Sequence, residues 1–282
     1  MRRLVAETTI RREGAVRSYI RLYGTLARTA IASNFQYRIA NYFYLIGMVV
    51  EPVIYLVVWS TIARQQGGEL SGYTPGRFAA YYIVWTLVRN MNIVFTPWGW
   101  EERIREGRLS AQLARPVHPL HYDLAEFAGW KVVVILLWLP IAAVLSLIFR
   151  PELNPTLGQV LTFAVAIWGA YLIRSLLLFL LGMVTFWTTR VSAFFEFYFA
   201  AELLLSGRLL PVDLMPEWTQ TVASYLPFES SFGFPITALV GPITGPELVE
   251  GLVRQGIWIA IGILGVVLVW KRAVSHYTAV NG

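Results

Sequence analysis

Long apolar runs joined by short polar connectors set the pattern of this chain. Six runs stand out, over residues 41–63, 77–98, 127–149, 157–187, 193–210 and 252–270. A helix rises about 1.5 Å per residue, so about 20 residues cross a hydrocarbon layer of about 30 Å. Each run is long enough, or nearly so, to be a transmembrane helix. The fourth is longer than needed, so it tilts, bends or leaves the bilayer at its end. A further apolar stretch over 221–240 is interrupted by Pro227, Glu229 and Pro235 and followed by Pro242 and Pro246. It reads as a re-entrant or interfacial helical hairpin before the last span, because irregular backbone at membrane depth survives only inside protein or beside a cavity.

The first 38 residues have a different pattern. At 100° per residue, Arg17, Arg21 and Arg28 share one side of a helix, with Tyr19, Leu22, Tyr23, Leu26 and Ala30 opposite. That is an amphipathic helix on the inner membrane surface, or a soluble helix packed on a partner. Eight arginines and no continuous apolar segment argue against a cleavable signal peptide. The expected organisation is a cytoplasmic arm over 1–38, a six-helix transmembrane domain over 39–275 and a cytoplasmic tail over 276–282. The fold class is an all-α membrane protein.

Composition sharpens this. Apolar residues make up 56% and charged residues 14% of 282, which is more apolar surface than one soluble core can hold. The formal charge is +6, and all but Lys131 and Lys271 of the 23 basic residues are arginine. With the N-terminus inside, sixteen cations fall on the cytoplasmic side, Lys131 among them, and five outside, with Arg208 among the five. That bias predicts both termini in the cytoplasm of a plasma-membrane protein. Trp and Tyr near the run ends fit an interfacial belt.

Little catalytic chemistry is available. Cysteine is absent, and the histidines are His118, His121 and His276. No phosphate-binding glycine loop surrounds either lysine, and neither HExxH nor GxSxG occurs. His118 and His121 are three apart but separated by Pro119, and no acidic or thiol partner clusters with them. An enzyme is not expected, nor a cofactor or metal in this chain. Four charges lie within apolar runs: Glu51, Arg89, Arg174 and Glu202. Charges at that depth must pair or be hydrated. They either fix helix register as buried ion pairs or line a substrate or proton path. Glu51 and Arg89 sit at similar depths, about 15 and 14 Å from the inner ends of their runs, and should pair. Arg174 with Glu202 is the second expected pair.

The connector after the second run carries Trp100, Glu101, Glu102, Arg103, Ile104, Arg105, Glu106, Gly107 and Leu109. Opposite charges on so short a segment make either a polar knob that docks on another protein or a solvated helix with local ion pairs. Pro97 bends the chain there, and Gly107 suits a helix C-cap.

That connector reads Ile104-Arg-Glu-Gly107-Arg-Leu109-Ser-Ala-Gln-Leu113-Ala-Arg115-Pro116-Val-His-Pro119-Leu120. It resembles the signature loop of type-2 permeases, the membrane-spanning subunits of prokaryotic ATP-binding-cassette (ABC) transporters. Ser110 departs from the pattern, where an acidic residue is expected. The N-terminal amphipathic helix is similar to that superfamily's connecting helix. So is the Leu210-Pro211 to Pro216 segment followed by Tyr225-Leu-Pro227-Phe. The resemblance implies a permease subunit of an exporter, with ATP and Mg bound by a separate ATPase present in two copies. It also implies a second permease chain, identical or paralogous, and makes Trp100 to Gly107 with Leu109 the coupling helix that touches the ATPase. The competing reading is an ion-coupled secondary transporter using the intramembrane Glu and Arg residues. Nucleic acid is not an expected partner.

Overall fold

The computed structural model describes residues 15–36, 38–94, 97–188, 191–243 and 245–276. Within them the chain is helical, with one isolated bridge between Leu70 and Tyr73 and no strand. Helix α1 covers Ala15–Gln36, α2 Arg38–Gln65 and α3 Pro75–Met91. The short α4, Pro97–Arg105, and α5, Arg108–Leu113, precede the long α6, Pro119–Phe149, and α7, Leu157–Met183. Then come α8, Ser192–Leu205, and three short helices: α9 Glu217–Ser224, α10 Pro227–Ser231 and α11 Gly233–Val240. The long α12, Gly245–Ser275, closes the order.

Local chemistry sets these boundaries. Thr74 accepts a hydrogen bond from Arg77 N at 3.1 Å, and Pro75 follows at the first helical position of α3. Thr156 and Gln159 form a reciprocal capping box at the start of α7. Arg150 ends α6 with a left-handed backbone just before Pro151.

Among the described residues, three helices are long and apolar enough to cross a membrane: Pro119–Phe149, Leu157–Phe186 and Gly245–Ser275. They differ in role. Over its most apolar window the second is 56% buried, against 22% and 17% for the others. So α7 is the hub, with α12 and α11 against it. Helix α3 is the second buried element, packed between α2 and α6, and Phe78, Tyr82, Trp85 and Val88 are almost wholly enclosed.

Three expectations change. The second apolar run does not continue to residue 98. Helix α3 stops at Met91, because Asn92 N turns back to the carbonyls of Val88 and Arg89 and the Asn92 amide donates to Ser231 O. The fifth run yields only 14 helical residues, about 21 Å of rise. The chain leaves that helix at Ser206–Gly207, where Gly207 has φ +84°. The proline-rich stretch forms three short helices rather than a two-helix hairpin, broken at Phe232, and its second and third helices are largely buried.

Helix α1 packs on the first half of α6. A Cβ on Gly129 would fall 2.5 Å from Ala27 Cα, so the two backbones touch. The Tyr23 hydroxyl lies 3.0 Å from His121 Nδ1. Arg17, Arg21 and Arg28 lie on the exposed side, and Leu22, Tyr23, Leu26 and Ala30 are half-buried. Residues 1–14 of the arm and 277–282 of the tail lie outside the described residues.

Candidate functional site

Five charges from four helices and one connector form a chain. Arg89 of α3 meets Glu51 of α2 at 2.8 Å. Arg174 of α7 grips Glu202 of α8 with two parallel hydrogen bonds, Nε to Oε1 at 2.7 Å and Nη2 to Oε2 at 2.9 Å. Both expected pairs are therefore in contact, the Glu51–Arg89 pair that depth matching suggested and the Arg174–Glu202 pair whose depths matched less well. Arg208 joins them, at 3.4 Å from Glu202 and 3.7 Å from Glu51.

Sequence reasoning placed Arg208 among the outer loop cations, and the structure corrects that. Its segment folds inward because its carbonyls are claimed by buried donors. Tyr81 donates to Gly207 O at 2.8 Å, Tyr82 to Leu209 O at 3.0 Å and Trp59 Nε1 to Leu209 O at 3.1 Å. The apolar Leu209-Leu210-Pro211 beside Arg208 was the available signal.

The chain of charges is graded in burial. The Glu202 side chain is 0% exposed, while Glu51 and Arg89 are 31% and 28% exposed. They sit beside exposed Val50, Ile54, Val57 and Val58. Two carboxylates answer three guanidiniums, so the network carries one excess positive charge. Bidentate geometry makes the Arg174–Glu202 end the rigid one.

Lys131, counted from the sequence among the cations of the cytoplasmic side, is 0% exposed. Its ammonium donates to the carbonyls of Asn90, at 3.1 Å, and Ile93, with the Trp130 ring 4.4 Å away. Arg174 donates to Asn92 O from the other side. Two buried cations thus donate to carbonyls where α3 ends, the favourable placement for positive charge at a helix C-terminus.

The connector below this break is two-faced. Trp100 is buried edge-on against Phe179 at 4.9 Å, and a Cβ on Gly182 would reach its indole at 2.8 Å. Arg103 holds Asp123 of α6 through two bonds of 2.7 and 2.6 Å. Leu109 is fully buried, and Ile104 is half-buried. Glu102, Glu106 and Arg108 are among its exposed described residues, with Arg108 bridging both carboxylates at 3.1 and 2.7 Å. Of the residues expected at a partner contact, Trp100, Arg103 and Leu109 are thus engaged within the chain, while Glu102 and Glu106 are exposed. Arg108 stands outside the set named from the sequence and carries the exposed ion pairs of the connector. The side chains of Glu101 and Arg105 lie outside the described residues. Gly107 has φ +68° and links α4 to α5, as its cap-like position requires.

A family model described as ABC-2 family transporter protein matches residues 49–281. The chain belongs to the ABC-2 transporter family. No curated protein matches it. Membership makes it a multi-pass membrane subunit of a transport system, not a catalyst. The matched region takes in the whole charge network and the connector, whereas α1 lies before it.

The histidines of this ABC-2 permease serve its architecture. His118 Nδ1 accepts from Leu120 N at 3.2 Å and so caps α6. Its ring lies 4.3 Å from Trp270 and 5.7 Å from Phe179. Burial, with His121 nearby, pushes His118 down to about 4, so it is neutral at pH 7. No cluster of three potential metal ligands occurs among the described residues.

Proposed function

We propose that this ABC-2 permease is the membrane half of an exporter and is driven by a separate ATPase. The carrying observation is the two-faced connector. Its inner face is fastened to α6 and α7 through Asp123, Phe179 and Gly182, while Glu102, Glu106 and Arg108 face outward. A short charged helix fixed to two long apolar ones suits docking on a soluble motor. ATP and Mg then bind in the motor, present in two copies, and this chain needs no nucleotide site of its own.

In this reading the polypeptide crosses six times, with both termini in the cytoplasm. Helices α2, α3, α6, α7, α8 and α12 are the crossings. Helix α8 is short for a crossing, and the buried α10 and α11 form the re-entrant element that completes its layer. Two such chains, identical or paralogous, enclose the substrate path. The half-exposed Glu51–Arg89 pair faces that path, because a charge among apolar residues is costly against lipid.

The alternative, an ion-coupled carrier, needs a carboxylate free to exchange a proton. Glu51 and Glu202 are each held by two arginines. That pairing favours the ATP-driven reading. The test is co-purification. Glu102→Arg with Glu106→Arg should abolish ATPase capture and substrate-stimulated hydrolysis in reconstituted membranes, while insertion is normal. Proton-driven transport by the chain alone would refute the proposal.

A further inference from the structure

At the end of the molecule opposite α4 and α5, a cavity of about 370 Å³ opens between the α10–α11 region and α12. That volume falls in the range of small-molecule sites, roughly 300–1,000 Å³. Tyr73, Tyr81, Asp213, Gln220, Glu229 and Arg254 contribute to its walls. A second cavity of about 390 Å³, with Arg77 and Glu152 on its wall, lies across the shared Gly241–Ile243 segment.

Hydrogen-bond accounting gives the first cavity a chemical bias. Its neutral donors are consumed within the protein. Tyr73 donates to Asp213 Oδ1 at 3.2 Å and Tyr81 to Gly207 O at 2.8 Å. Gln220 Nε2 donates to the carbonyls of Asp213 and Met215 at 3.2 and 2.8 Å. Ser224 donates to Thr221 O at 2.7 Å, and Thr237 to Gly233 O at 3.1 Å. Burial, then the Asp213 carboxylate, raises Tyr73 above its ordinary range, so it stays a donor to that carboxylate.

Acceptors are what remain. Among the described residues no donor reaches Asp213 Oδ2, Glu229 Oε1 or the Gln220 amide oxygen. Arg254 answers only Glu229 Oε2, at 2.9 Å. Asp213 and Glu229 against Arg254 leave one negative charge, and adding Arg77 and Glu152 of the adjoining cavity leaves the balance the same. An acidic, acceptor-rich pocket with phenol rings in its wall complements a ligand that brings donors and positive charge.

We propose that this cavity binds small organic cations, by a primary amine that donates to Asp213 and the Gln220 oxygen. Binding itself needs neither an ATPase nor a direction of transport. Its placement on the outer face, as an exit-side site, rests on the topology proposed above.

The test is equilibrium dialysis of the full chain in phosphatidylcholine nanodiscs, with empty discs subtracted. Benzylamine, benzyl alcohol and benzoate form a cationic, neutral and anionic series of one shape. A charge-assisted hydrogen bond separates such ligands by roughly tenfold or more, so benzylamine should bind at least that much tighter than either. Asp213→Asn, at an exposed position, should remove most of that preference. Glu152→Gln in the adjoining cavity should leave it intact. Equal binding of the three probes, or an unchanged preference in Asp213→Asn, would overturn the site. Either result would leave ATPase capture by Glu102, Glu106 and Arg108 untouched, so the two proposals fail separately.

Discussion

Glu202→Gln is the sharpest probe of the charge network. The change keeps shape and removes one negative charge from a side chain with no exposure. Arg174 then keeps its bond to Asn92 O but loses the carboxylate that accepted at 2.7 and 2.9 Å. Arg208, 3.4 Å away, loses its nearer counter-charge. Breaking a buried pair on one side costs about 3–5 kcal/mol, because the surviving charge stays out of water. At roughly 2 °C per kcal/mol for a chain of this length, the midpoint of thermal unfolding should fall by about 6–10 °C.

Glu51→Gln removes the same charge from a pair that is about one-third exposed. Its cost should stay near 1 kcal/mol or below, about 2 °C. Tryptophan emission of the chain in nanodiscs reads both variants. Replacing Arg174 and Glu202 together by Met should recover most of the loss, since a well-packed apolar pair often equals a buried ion pair. Equal shifts for the two single variants would refute the graded network. So would a double variant no better than Glu202→Gln.

Other outcomes follow from single contacts. Arg103→Asp should destabilise the chain by about 3 kcal/mol, as a carboxylate then faces Asp123; adding Asp123→Arg should restore much of the unfolding midpoint. Gly107→Ala meets no atom within 4 Å, so its effect is purely that of φ +68°, about 1–2 kcal/mol, and Gly107→Asn should be milder in ATPase coupling assays. Gly129→Val should lift α1 from α6 and expose the N-terminal helix to protease, with the chain still in the membrane. His118 is held neutral in the fold with its pKa near 4, below the ordinary 6.5. The unfolded chain therefore takes up a proton first, and stability should be full above pH 6.5 and fall as pH drops toward 4. His118→Asn should flatten that slope in thermal unfolding at pH 7 and pH 5.

Apolar runs made the helices legible in the sequence, and depth matching the Glu51–Arg89 pair; Arg174 and Glu202 matched less well in depth and were marked by being the two other charges within runs. Glu51 and Arg89 sit at similar depths from their run ends, and a charge in such a run has few places to go. What stayed hidden depends on tertiary partners. Arg208 looks like a loop residue until Tyr81, Tyr82 and Trp59 are seen drawing its backbone inward. Lys131 lies near one end of its apolar run, where lysines usually meet water, and the carbonyls at the break after α3 explain its burial. The connector's composition announced a polar helix, but its helical phase decided which charges were outward. Arg103 found Asp123 twenty residues away, a pairing no local pattern marks.

The connector's attachments change how force from a motor would enter the membrane domain. As a proline-bent extension of the second run, it would act on α3. The break after Met91 separates it from that helix, and the strong contacts lead elsewhere. Trp100 is wedged between Phe179 and Gly182 of α7, and Arg103 is bidentate on α6. If the connector docks on a motor as proposed, a load on Glu102, Glu106 and Arg108 reaches α6 and α7 first. It reaches α3 through the packing of α6 on that helix, Trp138 Nε1 donating to Ile83 O among those contacts, and at its end through the two cations those helices carry, Lys131 and Arg174, at the carbonyls of Asn90, Asn92 and Ile93. Arg174 also holds Glu202 of α8. One guanidinium thus ties the hub helix to the end of α3 and to α8, on the line between the connector and the half-exposed Glu51–Arg89 pair. Shortening Arg174 to Lys, which cannot make the bidentate grip, should leave ATPase capture intact but lower substrate-stimulated hydrolysis. Full stimulation in Arg174→Lys would mean that the load bypasses this side chain.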